Sequence, residues 1–104
     1  MRLDDARQQI TALLGAVSID GHFDKCFANL KETQQDELFV WLRDCVERRA
    51  NPIQSKRDRE VIGFVKRFGS DLRAILTKKK DGYFLALFLD KHKYYEDEMA
   101  RLGF

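Results

Sequence analysis

The chain has 104 residues, of which 44% are hydrophobic and 35% are charged, and its formal net charge is +2. These values are typical of a single folded domain and exclude a disordered chain. The longest apolar run, Tyr83–Leu89, is too short to span a bilayer. The acidic N-terminus does not resemble a signal peptide, so we expect a cytoplasmic protein without a membrane partner.

The positive charge is concentrated in one segment. Residues 55–93 contain 11 Lys and Arg against 5 Asp and Glu, a net charge of +6, whereas residues 1–54 and 94–104 each have a net charge of −2. Such an asymmetry is typical of a nucleic-acid-binding surface. It also fits an ordinary solvated face of a sheet, and charge alone does not separate the two interpretations.

Helical spacing of apolar residues dominates the first half of the chain. It predicts an extra helix within residues 1–16 that Gly15 ends, ahead of a core at residues 17–104 of the same domain. Val17–Ile19 is a candidate short strand. Two further helices are expected to form a hairpin, and the second of them should end near Asn51–Pro52. Their apolar positions are Phe23, Phe27, Leu30, Leu38, Phe39, Trp41, Leu42, Cys45 and Val46.

After a charged connector at residues 53–60, the apolar pattern changes from helical to alternating. The run from Val61 to Phe68 alternates in a way that predicts a strand, and Gly69–Ser70 can turn the chain into a second strand. The dipeptide Asp81–Gly82 is a hairpin signal that introduces a third strand. Since this third run is apolar on both faces, we expect it to be central in the sheet.

A short final helix is predicted to carry Tyr95, Met99 and Leu102 on its buried side. The sequence therefore predicts an α+β fold, in which N-terminal helices pack on a small antiparallel sheet and a short helix follows. An all-helical chain is the alternative, because Val61, Val65 and later apolar residues also fit a helical period.

The chemistry that the side chains can supply is limited. His22 and His92 do not belong to a metal-binding motif, and there is no phosphate-binding glycine loop or serine triad. Cys26 and Cys45 fall among apolar residues and are expected to be buried thiols. We therefore expect no metal and no cofactor.

Cations, a histidine and tyrosines suffice for one reaction class. RNA carries its own nucleophile, the 2′-hydroxyl, which can attack the adjacent phosphate without a metal. Such cleavage needs a proton acceptor, cations that stabilise the developing negative charge, and an acid for the leaving oxygen. Arginine suits the phosphate because its planar guanidinium group can donate hydrogen bonds to two phosphate oxygens at once.

The order of two helices, Asn51–Pro52, the strand runs VIGFVKRF, DLRAIL and FLALFL, and the segment DKHKYYEDEM resembles the RelE/ParE-type toxins of bacterial toxin–antitoxin pairs. The resemblance covers roughly residues 17–102. It implies a helical hairpin on an antiparallel sheet and a toxin that cleaves mRNA, in association with the ribosome. It also implies a partner antitoxin that wraps an extended or helical segment over the basic and apolar surface.

The resemblance also implies site residues. Arg73 occupies the arginine position of the penultimate strand and would stabilise the scissile phosphate, with Lys91 beside it. His92 or Tyr94 would handle protons, because Tyr95 aligns with apolar residues of the last helix and is expected in the core. RNA-binding positions would be Lys66, Arg67 and Lys93.

Two other functions remain open from the sequence. The first is a RelE/ParE-fold protein without nuclease activity that inhibits a protein target. The second is an all-helical adaptor of a phage or mobile element that acts only by protein interaction.

Overall fold

A computed structural model describes residues 1–69, 72–89 and 92–104, without the side chains of residue 89 and residues 92–94. The described chain has an α+β architecture in which helices cover a five-stranded sheet. The predicted fold class is therefore confirmed, and the all-helical alternative is wrong.

Three helices form a layer on one face of the sheet: α1 (Leu3–Leu14), α2 (Phe23–Ala28) and α3 (Glu32–Val46). Helix α1 ends where predicted, because Gly15 adopts a φ of 76° that most residues avoid. This helix contacts α3 as well as α2 and shares their core. The members of that core from α1 to α3 are Ala6, Ile10, Leu14, Phe23, Cys26, Phe27, Leu38, Trp41, Leu42 and Cys45.

Helix α3 ends before the predicted Asn51–Pro52 boundary. Arg48 has a positive φ of 62°, and the backbone N–H of Arg49 donates to the carbonyl of Asp44 at 2.8 Å. This left-handed residue closes the helix in the manner usually supplied by glycine. The proline thus follows a helix that has already ended.

The strands are β1 (Val17–Ile19), β2 (Ile53–Gln54), β3 (Ile62–Phe68), β4 (Leu72–Lys79) and β5 (Gly82–Leu89), in the sheet order β1-β5-β4-β3-β2. Strand β1 pairs with β5 in parallel, whereas the other neighbours are antiparallel, so the sheet is mixed. The central strand is β4, whereas we expected β5 to be central; β5 lies between β4 and the short β1. Strand β2 lies inside the segment that we had predicted to be a connector.

Tight turns set the register of the three long strands. The β4–β5 hairpin is confirmed, but Lys79 pairs with Gly82, so its two-residue loop is Lys80–Asp81. Gly82 belongs to the strand, and its φ of 146° lets the chain pass close to the carbonyl of Ala16. Gly69 follows β3 with a φ of 61°, and Ser70 lies outside the described residues.

Alternation along the strands defines two sheet faces. The helical face packs on α1 to α3 and includes Phe64, Phe68, Leu72, Leu76 and Leu85. The opposite face, which we call the α4 face, has three cross-strand rows in register from β3 through β4 to β5. These rows are Gly63–Thr77–Phe84, Val65–Ile75–Ala86 and Arg67–Arg73–Phe88.

Helix α4 (His92–Arg101) and the residues after it cover much of the α4 face. The Phe104 ring fills the notch above Gly63, where a Cβ atom would lie 2.2 Å from the ring. The hydroxyl of buried Ser55 donates to the carbonyl of Leu102 at 2.9 Å. The backbone N–H of Lys56 donates to the carbonyl of Gly103 at 2.7 Å. Residues 102–104 are thereby fastened to the loop that follows β2.

Candidate functional site

Two arginines lie side by side on the α4 face. Arg67 of β3 and Arg73 of β4 are direct cross-strand partners; the first is exposed and the second is half-buried. Across the described residues, neither guanidinium forms an ion pair or hydrogen bond with a carboxylate. Like charges opposite one another destabilise a sheet, so this arginine pair is a local excess of positive charge.

The Arg73 guanidinium is held by an aromatic stack. Its Cζ atom lies 5.0 Å from the centroid of the Tyr95 ring, a cation–π distance. The Tyr95 ring in turn meets Phe88 edge-to-face at 6.4 Å and 81°. Phe88 is the cross-strand partner of Arg73, so helix α4 closes a triangle of Arg73, Phe88 and Tyr95.

This contact changes the assignment of the tyrosines. Tyr95 is half-buried and packs on Arg73, whereas we expected it to be an ordinary core residue. Local sequence gives no signal for this contact, because it depends on which sheet face the last helix crosses. The side chain of Tyr94, our preferred tyrosine, lies outside the described residues.

The other expected site residues divide into two groups. Lys66 alternates with Arg67 and lies on the helical face, where its Nζ is 5.8 Å from the Phe68 ring centroid. It therefore does not join the arginine pair on the α4 face. Lys91 and the side chains of His92 and Lys93 fall outside what the structure describes.

The cysteines are buried, as expected. Cys26 donates from Sγ to the carbonyl of Leu87 at 3.3 Å, and Cys45 is 1% exposed. Burial, with the nearby Asp44 carboxylate, raises the pKa of the Cys45 thiol to about 12. This thiol is therefore protonated at neutral pH and is a poor nucleophile.

A cleft with a volume of about 660 Å³ lies between α2, β5 and α4. The cleft exists because β1 ends at Ile19, and no other strand in the described part of the chain pairs with the rest of that edge of β5. Phe84, Ala86 and Phe88 form its floor on the α4 face. Charged side chains from α2 and α4 form its rim.

Two side-chain pairs form part of that rim. The His22 ring Nδ1 lies 3.1 Å from Asp20 Oδ2 at the entrance to α2. On α4, Arg101 Nε donates to Glu98 Oε2 at 3.0 Å, and this hydrogen bond raises the pKa of Arg101. No local sequence pattern marks this cleft, because its walls come from three segments that are distant in the sequence.

Among the described residues, no three His, Cys, Asp or Glu side chains are grouped so as to hold a metal ion. None of the described helices is long and apolar enough to cross a membrane. Comparison of the chain with protein-family models, curated proteins and solved structures gives no match.

Proposed function

We propose that this chain is a cytoplasmic, RelE/ParE-type RNA endonuclease that cleaves mRNA, in association with the ribosome, by attack of the 2′-hydroxyl on the adjacent phosphate. The observation that carries the proposal is the arginine pair, Arg67 and Arg73, which no carboxylate neutralises in the described part of the chain. A layer of helices packed on one face of a largely antiparallel sheet is also what the resemblance to these toxins implies.

Electrostatics supports a polyanionic ligand at this position. Two guanidiniums on directly opposed strand positions repel each other, and a phosphate placed between them would replace repulsion by attraction. Each guanidinium can donate two parallel hydrogen bonds to phosphate oxygens. Arg67 is exposed and can bind a phosphate of the RNA backbone. Arg73 is half-buried, and its contact with Tyr95 holds its guanidinium in a fixed orientation.

The mechanism assigns Arg73 to the scissile phosphate. Attack by the 2′-hydroxyl builds negative charge on the phosphoryl oxygens, and a positioned guanidinium stabilises this charge more than it stabilises the ground state. Arg67 binds the neighbouring backbone phosphate. His92 or Tyr94, with Lys91, supplies proton transfer in this proposal, and Lys93 binds RNA at the edge of the site.

The same surface fits the proposed antitoxin. An acidic segment of a partner protein laid over Arg67 and Arg73 would neutralise both guanidiniums and exclude RNA. Binding of the antitoxin and binding of RNA are therefore expected to be mutually exclusive.

The test is RNA cleavage by the purified chain, with free RNA and with translating ribosomes. Arg73→Ala is expected to lower the cleavage rate about a hundredfold or more, the usual effect of removing one donor to a developing charge. Arg43→Ala is the matched control, because Arg43 is exposed on α3 on the other side of the sheet. It should leave cleavage unchanged.

Folding must be followed in the same variants. Arg73→Ala removes both the repulsion from Arg67 and the contact with Tyr95, so its free energy of unfolding should stay within about 1 kcal/mol of the parent. Failure of the parent chain to cleave either free or ribosome-bound RNA would contradict the proposal. It would favour a binding protein of the same fold that inhibits a protein target.

A further inference from the structure

The cleft between α2, β5 and α4 combines an apolar floor with a charged rim. Phe84 and Phe88 are both half-buried, and Ala86 lies between them on the same face. A strip of two aromatic rings separated by a small residue presents a surface on which a planar ring can lie. Aromatic side chains stack unpaired bases of RNA in this way.

Two charges on the rim are left for a ligand. Arg101 and Glu98 form an ion pair, and the Asp20 carboxylate accepts a hydrogen bond from the backbone N–H of His22. Lys25 of α2 and Asp97 of α4 line the same cleft, and neither side chain has an ion pair or hydrogen bond with any described residue. The cleft therefore offers one unused cation and one unused carboxylate around an aromatic floor.

This arrangement selects among the bases by hydrogen-bonding chemistry. A carboxylate only accepts hydrogen bonds, and an ammonium group only donates them. Guanine presents two adjacent donors, N1–H and the N2 amino group, which match the two oxygens of a carboxylate, and its O6 and N7 accept from an ammonium group. Adenine presents a single amino donor next to an acceptor on its Watson–Crick edge and cannot satisfy a carboxylate twice.

We infer that this cleft is a guanine pocket: Asp97 accepts from N1–H and the N2 amino group, Lys25 donates to O6 or N7, and the base packs on the floor that Phe84, Ala86 and Phe88 form. The RNA-cleavage role of the pocket rests on the function proposed above. Phe88 joins the two sites, because it lines the cleft and also packs on Tyr95, which covers Arg73. A nucleotide whose base occupies the cleft would thus belong to the strand that crosses the arginine pair.

The first experiment does not depend on catalysis. Guanosine 5′-monophosphate, inosine 5′-monophosphate and adenosine 5′-monophosphate are titrated separately into the full chain, and binding is followed by NMR at Phe84, Phe88 and the α4 amides. The guanine nucleotide should bind about tenfold more tightly than the adenine nucleotide. The inosine nucleotide, which lacks the N2 amino group, should fall between them. Inorganic phosphate should move resonances at the arginine pair and at the adjoining Phe88, and leave Phe84, at the other end of the floor, unchanged.

Asp97→Asn should abolish the preference for guanine without changing the fold. Asp4→Asn, the same change on exposed α1, is the control and should preserve the preference. Equal binding of the three nucleotides, or resonance shifts confined to residues outside the cleft, would overturn the inference. Equal cleavage of RNAs that differ only in guanine content would overturn it too, while leaving the nuclease proposal intact. Selective binding of the guanine nucleotide by a chain that cleaves no RNA would support the pocket and contradict only the nuclease.

Discussion

Replacing Gly63 by alanine tests how the end of the chain is held on the sheet. An added Cβ would lie 2.2 Å and 2.3 Å from two ring carbons of Phe104, closer than non-bonded carbons can approach. The strand cannot move away, because Gly63 is paired with both Ile53 and Thr77. The Phe104 ring must therefore leave its notch.

The size of the effect follows from two opposing terms. Burying a whole Phe side chain contributes about 1.5–3 kcal/mol, and because Phe104 is only partly buried, its release should cost about 1–2 kcal/mol. Alanine in a strand interior is favoured over glycine by about 0.5–1 kcal/mol. The net loss of unfolding free energy should be about 1 kcal/mol, which lowers the melting temperature by about 4–8 °C in a domain of this size.

Urea denaturation and thermal melts of the parent, Gly63→Ala, Phe104→Ala and the double variant measure the coupling. In the Phe104→Ala background the clash is gone, so Gly63→Ala should become stabilising by about 0.5–1 kcal/mol. Gly21→Ala is the control, because no atom lies within 4 Å of the added Cβ. An equal destabilisation by Gly63→Ala in both backgrounds would refute the notch as its cause.

Three further outcomes follow from the packing. Tyr95→Leu should lower the rate of RNA cleavage about two- to fivefold, because the cation–π contact with Arg73 is lost, whereas Tyr95→Phe should leave the rate unchanged. Equal losses of rate in both variants would assign the effect to the hydroxyl. The raised pKa of Cys45 means that the unfolded chain loses this proton first, so stability should fall as pH rises from about 9 towards 12, and urea titrations of Cys45→Ala should show a shallower decline. Among the described residues the buried Thr77 hydroxyl has no hydrogen-bond partner, so Thr77→Val should stabilise the chain by about 1 kcal/mol in thermal melts; a loss of stability would indicate a bound water at this hydroxyl.

Short stretches of sequence were enough to predict those helices and strands that depend only on neighbouring residues. The alternating run that ends at Phe68 forms β3, and the run that is apolar on both faces forms β5, because alternation and burial act residue by residue. The position of β5 beside the central strand β4 was not predicted. Gly15 stopped α1 through its own backbone freedom. The end of α3 was missed, because Arg48 took a left-handed conformation that sequence assigns to glycine.

The candidate site was predictable only in part, and for a physical reason. Hydrophobic alternation predicted the strand that carries Arg67, but the pairing of Arg67 with Arg73 depends on the register between β3 and β4. The contact between Arg73 and Tyr95 required the path of a helix across the sheet, which no short stretch of sequence encodes. The cleft is the feature least predictable from local sequence, because it depends on the residue at which β1 ends.

The parallel pairing of β1 with β5 has a consequence for how the protein forms during synthesis. Val17 has its strand partner at Tyr83, so the N-terminal strand leaves the ribosome long before its neighbour exists. The first helices must wait with their apolar faces exposed until the last strand emerges, and loop closure over this separation slows folding. A nascent chain that stalls before β5 would thus be a target for chaperones, and would lack both the aromatic floor and the support for Arg73.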